Sequence, residues 1–90
     1  MIAVMIPPSL RKWSGGRERV EVTGATVRAV LSSLWAAHPG LRDRVLNETG
    51  ALRPHVNLFV DGESIRFGGW LDTPVSDGDE LHILPAVSGG

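Results

Sequence analysis

The chain has 90 residues, 42% of them hydrophobic, which predicts one domain with its own core and excludes a disordered chain. Nine basic and ten acidic residues give a net charge of −1, so no basic excess indicates binding to nucleic acid or an anionic membrane. The sequence contains no cysteine, which excludes a disulfide, a thiolate nucleophile and a thiolate metal site. We expect no signal peptide and no membrane span, and therefore a cytoplasmic protein.

The N-terminal part predicts a β-hairpin with a long loop. Residues 2–6 are apolar and rich in β-branched side chains, which is typical of a strand, and the two prolines at 7–8 end it. We expect a connector over residues 9–13 and a turn at Ser-Gly-Gly, residues 14–16. Residues 17–22 alternate between charged and apolar side chains toward their end, which predicts a half-exposed strand.

After residue 23 the apolar residues change from the alternating spacing of a strand to the spacing of a helix, which predicts the main helix. Thr26 is the expected N-cap, since its hydroxyl can satisfy a free N–H of the first turn. The apolar stripe at helical spacing consists of Val27, Val30, Leu31 and Leu34, with Trp35 at its edge. His-Pro-Gly at residues 38–40 ends the helix. Residues 41–46 predict a short second helix, and the polar residues 47–54 predict a loop.

The C-terminal half predicts two or three further strands. Residues 56–60, Val-Asn-Leu-Phe-Val, are expected to form one, and Asp-Gly at 61–62 is typical of a hairpin turn. We expect residues 65–67 to form the short return strand. Asp-Gly-Asp at 77–79 predicts another tight turn, and residues 81–84 predict the last strand.

These elements follow the order β-β-α-β-(β)-β. They predict an α+β fold in which a mixed sheet of four to five strands packs on one main helix, with a short helix beside it. No repeat and no linker interrupt the pattern. We therefore expect one domain over residues 1–85, followed by a flexible tail over residues 86–90.

The tail predicts a reactive chain end. Pro85 stops the last strand, because its ring removes a ladder donor. Gly89 and Gly90 have no Cβ, so they can enter a narrow slot, and the sequence finishes on an unhindered carboxylate. Since no other reactive group stands out, this carboxylate is the candidate reactive group, and Ser88 and Gly89 lead to it. An inert, frayed end is the alternative interpretation.

The whole pattern resembles the prokaryotic ubiquitin-like sulfur carriers, the MoaD and ThiS proteins. The resemblance rests on the element order, the turn at 77–79 and the final Leu-Pro-Ala-Val-Ser-Gly-Gly at 84–90. The CysO-type carriers are the most similar, through Val-Asn at 56–57, Arg-Phe-Gly-Gly at 66–69 and residues 83–90. The resemblance covers nearly the whole chain and implies a ubiquitin-like β-grasp fold.

The resemblance also implies a function. The chain would be a protein-bound cosubstrate rather than an enzyme, with no cofactor of its own. An activating partner of MoeB or ThiF type would use ATP and Mg²⁺ to adenylate Gly90, and a sulfur donor would convert the adenylate to a thiocarboxylate. The sulfur would pass to an acceptor enzyme that makes cysteine or another sulfur-containing metabolite. In CysO-type carriers a metalloprotease then acts on the cysteine adduct.

Strand alternation predicts where the activating partner docks. Leu81 and Ile83 suit the face against the helix, which leaves Phe59 and Leu84 on the opposite face, with Met5 beside them. An apolar patch next to a reactive tail predicts a docking surface, and the resemblance implies that the position of Leu84 meets the activating enzyme. The alternatives are that a loop covers Phe59 or that a bulge reverses the faces.

Other sites and other functions are alternatives to this hypothesis. His38, His55 and His82 lack ligand spacing, so we expect no metal site. Gly-Gly at 68–69 lacks the lysine and hydroxyl of a phosphate loop.

The competing functions are a ubiquitin-like modifier joined to lysines of other proteins, the small subunit of a molybdopterin synthase, and a β-grasp interaction module with an inert tail.

Overall fold

The fold is one mixed sheet packed against one main helix. The computed structural model describes residues 1–85. Its strands and helices are β1 (Ile2–Met5), β2 (Arg19–Val22), α1 (Val27–Ala37), α2 (Arg42–Val45), β3 (Val56–Val60), β4 (Glu63–Ser64) and β5 (Glu80–Pro85). Short 3₁₀ turns connect them at Pro8–Trp13, Pro39–Leu41, Ile65–Phe67 and Trp70–Asp72.

The sheet has five strands in the order β2-β1-β5-β3-β4. The central strand, β5, pairs in parallel with β1 and antiparallel with β3. The outer pairs β1–β2 and β3–β4 are antiparallel hairpins. Because β1 and β5 lie at opposite ends of the chain, closing this parallel pair joins the first and last elements of the fold.

The main helix covers one face of the sheet through the predicted stripe. All four stripe residues are buried, and Val27, Val30 and Leu34 are completely inaccessible. Thr26 is the N-cap, since its Oγ1 accepts a hydrogen bond of 3.2 Å from the backbone N–H of Ala29. The helix ends at Ala37, immediately before His38 and Pro39, as the sequence predicts.

The predicted return strand at residues 65–67 is wrong. The strand that pairs with β3 is Glu63–Ser64, and Ile65–Phe67 is a 3₁₀ turn. Asp61 and Gly62 both have positive φ, 48° and 88°, which makes a two-residue turn whose twist suits a hairpin, so the return strand begins directly after Gly62. The Ser64 hydroxyl then accepts a hydrogen bond from the Arg66 N–H and bends the chain away.

Other boundaries also differ from prediction. The connector is a 3₁₀ turn, Pro8–Trp13, and β2 begins at Arg19 rather than residue 17. The last strand includes Pro85, which pairs with Val56. Proline lacks a hydrogen-bond donor, but its carbonyl and its φ are compatible with a strand end. Pro85 is therefore the last residue of β5 rather than the first residue after it.

The arrangement is the mixed β-grasp sheet with one main and one short helix that the sequence predicts. No helix in the described part of the chain has the length and apolar character needed to cross a bilayer.

The packing of α1 gives a stability prediction. Leu31→Ala should lower the free energy of unfolding by roughly 2–5 kcal/mol, because truncation of a buried leucine leaves a cavity. Ser32→Ala, at an exposed position of the same helix, should change it by less than about 0.5 kcal/mol. Chemical denaturation measures both, and equal stabilities of the two variants would contradict the described packing.

Candidate functional site

Near the end of β5, the side chains on one side of the strand are buried and those on the other side are exposed or half-buried. Leu81 and Ile83 are buried in the hydrophobic core, at 0% and 1% exposure. Leu84 is 45% exposed, and His82 is half-buried on the same side. The faces predicted from strand alternation are therefore confirmed.

Three side chains form a row across the face of the sheet opposite to α1. His82 on β5 lies opposite Met5 on β1 and opposite Phe59 on β3. Met5 and Phe59 are half-buried. We call this surface, with Met5, Phe59, His82 and Leu84, the outer face. The structure thus brings the three predicted docking residues to one side of the sheet.

A shallow depression of about 260 Å³ lies beside Leu84 on the outer face. Its lining includes Met5, Pro7, Pro8, Arg11, Glu18, His82 and Leu84. Arg11 is fixed at the rim, since its Nε donates to the carbonyl of Ile6 over 3.1 Å and its Nη2 lies 3.9 Å from Glu18. An apolar floor with a charged rim suits an apolar side chain from a partner protein.

His82 lies at the centre of the outer face, and sequence reasoning did not count it among the docking residues. Its Nε2 lies 3.0 Å from Oε1 of Glu80. The other carboxylate oxygen of Glu80 lies 4.0 Å from a guanidinium nitrogen of Arg19. A partner on the outer face therefore meets polar groups as well as apolar ones. The signal was present in the sequence, because alternation along β5 places His82 beside Leu84.

The reactive-tail prediction falls outside the described residues. Ser88, Gly89 and Gly90 belong to residues 86–90, so their predicted role and flexibility stay predictions. The structure does fix where this segment starts, at Pro85 opposite Val56. Five extended residues span at most about 18 Å. Any group that reacts with Gly90 must therefore come within that distance of Pro85.

The histidines lie on separate elements. His38 follows α1, His55 precedes β3 and His82 belongs to β5. Within residues 1–85, no three His, Asp or Glu side chains are grouped closely enough to hold a metal ion.

The fold and the end of β5 define the class of protein. A five-stranded mixed sheet with a parallel central pair, wrapped on a main helix, is the fold of a ubiquitin-like β-grasp protein. In this chain the central strand leads directly into a sequence that ends in Gly-Gly. A sequence model of the ThiS family matches residues 4–90, and the chain belongs to the ThiS family.

Individual relatives agree with this assignment. The sulfur carrier protein CysO of Mycobacterium tuberculosis is 42% identical over 91 residues, which cover 99% of this chain and 98% of CysO. Small archaeal modifier protein 1 of Haloferax volcanii is 42% identical over 73 residues, which cover 80% and 79% of the two chains. A chain of the Amycolatopsis orientalis BexX/CysO complex superposes with a TM-score of 0.92 at 41% identity, with 100% of both chains covered.

The opposite environments of two neighbouring residues give a test of the face assignment. Leu84→Asp should leave the fold intact, because the new carboxylate points into solvent. Ile83→Asp should unfold the protein, because it would bury an unpaired charge in the core. Circular dichroism and thermal melting distinguish the two, and an unfolded Leu84→Asp variant would show that Leu84 belongs to the core.

Proposed function

We propose that this chain carries sulfur as a thiocarboxylate on Gly90. The observation that carries the proposal is its similarity to the sulfur carrier CysO over 99% of its length. The Gly-Gly end and the exposed Leu84 near it support the same function.

The proposed chemistry begins with activation of the terminal carboxylate, because its charge and resonance resist nucleophilic attack. A carboxylate oxygen of Gly90 attacks the α-phosphorus of ATP, and pyrophosphate leaves. A sulfur nucleophile at the oxidation level of sulfide then adds to the acyl carbon of the adenylate. AMP leaves with the electrons of the acyl C–O bond, and the sulfur stays on Gly90 as a thiocarboxylate.

The partner supplies this chemistry, and the chain supplies the acyl group and its delivery. ATP and Mg²⁺ belong to the activating enzyme, where the metal ion neutralises charge on the phosphates. Gly89 and Gly90 pass through a narrow channel that a Cβ would block. The chain is consumed and regenerated as a cosubstrate, and is not itself the catalyst.

The outer face is the proposed contact with an activating enzyme of MoeB or ThiF type. Leu84 is both the most exposed apolar residue of this face and one residue from Pro85, where the tail begins. Met5 and His82 line the depression next to it, and Phe59 extends the row. For an enzyme that binds this patch, Gly90 lies within about 18 Å of Pro85, next to the contact surface.

After loading, the carrier passes its sulfur to an acceptor enzyme that makes cysteine or another sulfur-containing metabolite. A metalloprotease releases the product where the acceptor molecule remains joined to the carrier. The solved complex of a CysO protein with BexX supports the idea that carriers of this kind form defined complexes with partner proteins.

Protein modification is the second candidate function. The 42% identity to small archaeal modifier protein 1 favours it. In this alternative the adenylated Gly90 is joined to amino groups of other proteins. Conjugates that carry an epitope-tagged form of the chain and survive a denaturing gel would support it.

Intact-mass measurement tests the loading of Gly90. Incubation with the activating enzyme, ATP and a sulfur source should give the mass change for one oxygen replaced by one sulfur. A variant with one alanine added after Gly90 should remain folded but unmodified. Ser88→Ala keeps the length and the Gly-Gly end, so it should load normally. Normal loading of the extended variant, without trimming in its mass spectrum, would contradict the proposal.

Substitutions on the outer face test the docking surface. Leu84→Asp and Phe59→Asp should each lower kcat/KM for adenylation by about tenfold or more, because truncated hot-spot residues typically cost about 2 kcal/mol. The matched control is Phe67→Asp, since Phe67 is 84% exposed and lies outside the outer face. If the folded Leu84→Asp and Phe59→Asp variants are adenylated as fast as this control, the activating enzyme binds another surface.

A further inference from the structure

A second surface lies beside the point where the chain leaves β5. A groove of about 350 Å³ has Ile83 and Pro85 in its lining, together with Trp13, Arg44 and Arg53. Lys12 lies over the Trp13 ring. We call Trp13, Arg44 and Arg53, together with the neighbouring Lys12, the cationic groove. Two positive charges line it, a third lies on the same aromatic ring, and the groove borders Pro85.

The Trp13 ring holds two of these charges. The guanidinium carbon of Arg44 lies 4.1 Å from the ring centroid, and the ammonium of Lys12 lies 4.3 Å from it. The ring itself is fixed against the backbone, since a Cβ on Gly40 would lie 2.8 Å from its Cδ1 atom. The two cations are therefore held at a defined site rather than free on long side chains.

Arg53 is held by the backbone around it. Its Nε donates to the carbonyl oxygen of Asp43 over 3.0 Å, and its own N–H donates to the carbonyl of Val45 over 3.0 Å. Arg53 also accepts at its carbonyl from the N–H of Val56, which is the strand partner of Pro85. These contacts keep its charge close to the start of the tail.

In the part of the chain that the structure describes, the positive charges of the groove have no acidic partner. Within residues 1–85, Lys12, Arg44 and Arg53 form no ion pair. The carboxylate in the groove lining, Asp43, pairs with Arg42 instead, over 3.2 Å. The groove therefore has an excess of positive charge, although the whole chain has a net charge of −1.

The acidic residues at the opposite end of β5 are used within the fold. Asp61 accepts a hydrogen bond of 2.9 Å from the N–H of Glu80, and Asp79 accepts one of 2.8 Å from the N–H of Ser76. Asp77 pairs with the N-terminal ammonium. These carboxylates have structural roles in turns, whereas the cations around Pro85 contact a backbone carbonyl and an aromatic ring and keep their charge unpaired within residues 1–85.

We propose that the cationic groove docks an acidic rim on the protein that receives the tail. This inference rests on the proposed function, because it takes that protein to be the enzyme that reacts with Gly90. Such an enzyme must reach within about 18 Å of Pro85, and the groove, which Pro85 lines, lies within that distance of its channel mouth. Carboxylates there would pair with Arg44, Arg53 and Lys12, and a basic mouth would be repelled.

A peptide titration tests the preference of the groove without any enzyme. Hexaglutamate, followed by ¹H–¹⁵N NMR at low ionic strength, should shift the Trp13 indole signal and the amides around Arg44 and Arg53. Added salt should reverse the shifts, and Arg44→Glu should abolish them. Equal shifts around every arginine, or no shifts, would overturn the proposal. This result does not depend on whether Gly90 is ever loaded.

Adenylation kinetics test the partner. Arg44→Glu should raise KM for the carrier about tenfold at low salt, leave kcat unchanged and flatten the salt dependence, because rim charges act mainly on association. Arg44→Gln should have a smaller effect in the same direction. The matched control is Arg66→Glu, since Arg66 lies over another tryptophan, Trp70, 5.7 Å from its centroid.

The kinetic outcomes are distinct. If folded Arg44→Glu and Arg66→Glu carriers have equal KM values, the groove is not a docking surface and the inference is wrong. If the wild-type chain is not adenylated at all, the proposed function fails, and the peptide titration still decides whether the groove selects acidic segments.

Discussion

The fold depends on the pairing of β5 between β1 and β3. This strand contributes Leu81 and Ile83 to the core and so lies at the centre of the hydrophobic packing. The same strand runs directly into the last five residues of the sequence. Because strand residues alternate between faces, burying Ile83 forces Leu84 outward. The position of the exposed residue nearest the tail is therefore fixed by the core.

Long elements with a clear period could be predicted from the sequence. The four apolar residues of α1 recur at helical spacing, and Thr26 precedes them, so local pattern and tertiary packing agree. The turn at Asp61 and Gly62 was predicted, but the return strand was placed two residues too late, because Glu63 and Ser64 have no apolar pattern that marks a strand; with positive φ at both turn residues, β4 begins directly after Gly62. Two-residue strands and 3₁₀ turns have no period to detect.

The candidate site divides in the same way. Alternation along two strands was enough to bring Leu84 and Phe59 to one face, since a strand pattern determines both faces at once. The cationic groove could not be found from sequence. Lys12 and Arg44 are far apart along the chain and meet because the turn before α2 places Gly40 under Trp13, and Arg53 joins them through its hydrogen bonds to Asp43 and Val45. The local spacing of residues in the sequence does not predict such contacts between distant side chains.

The two surfaces suit the proposed function. In that proposal one enzyme loads the chain and another unloads it, so neither can bind it permanently and each interface has to be small. The apolar depression beside Leu84 offers contact area to any partner with a matching side chain. In the proposed docking, the cationic groove adds long-range attraction, which raises the association rate more than the lifetime of the complex. Since both surfaces border the end of β5, a partner that engages them together must also have the tail within its reach.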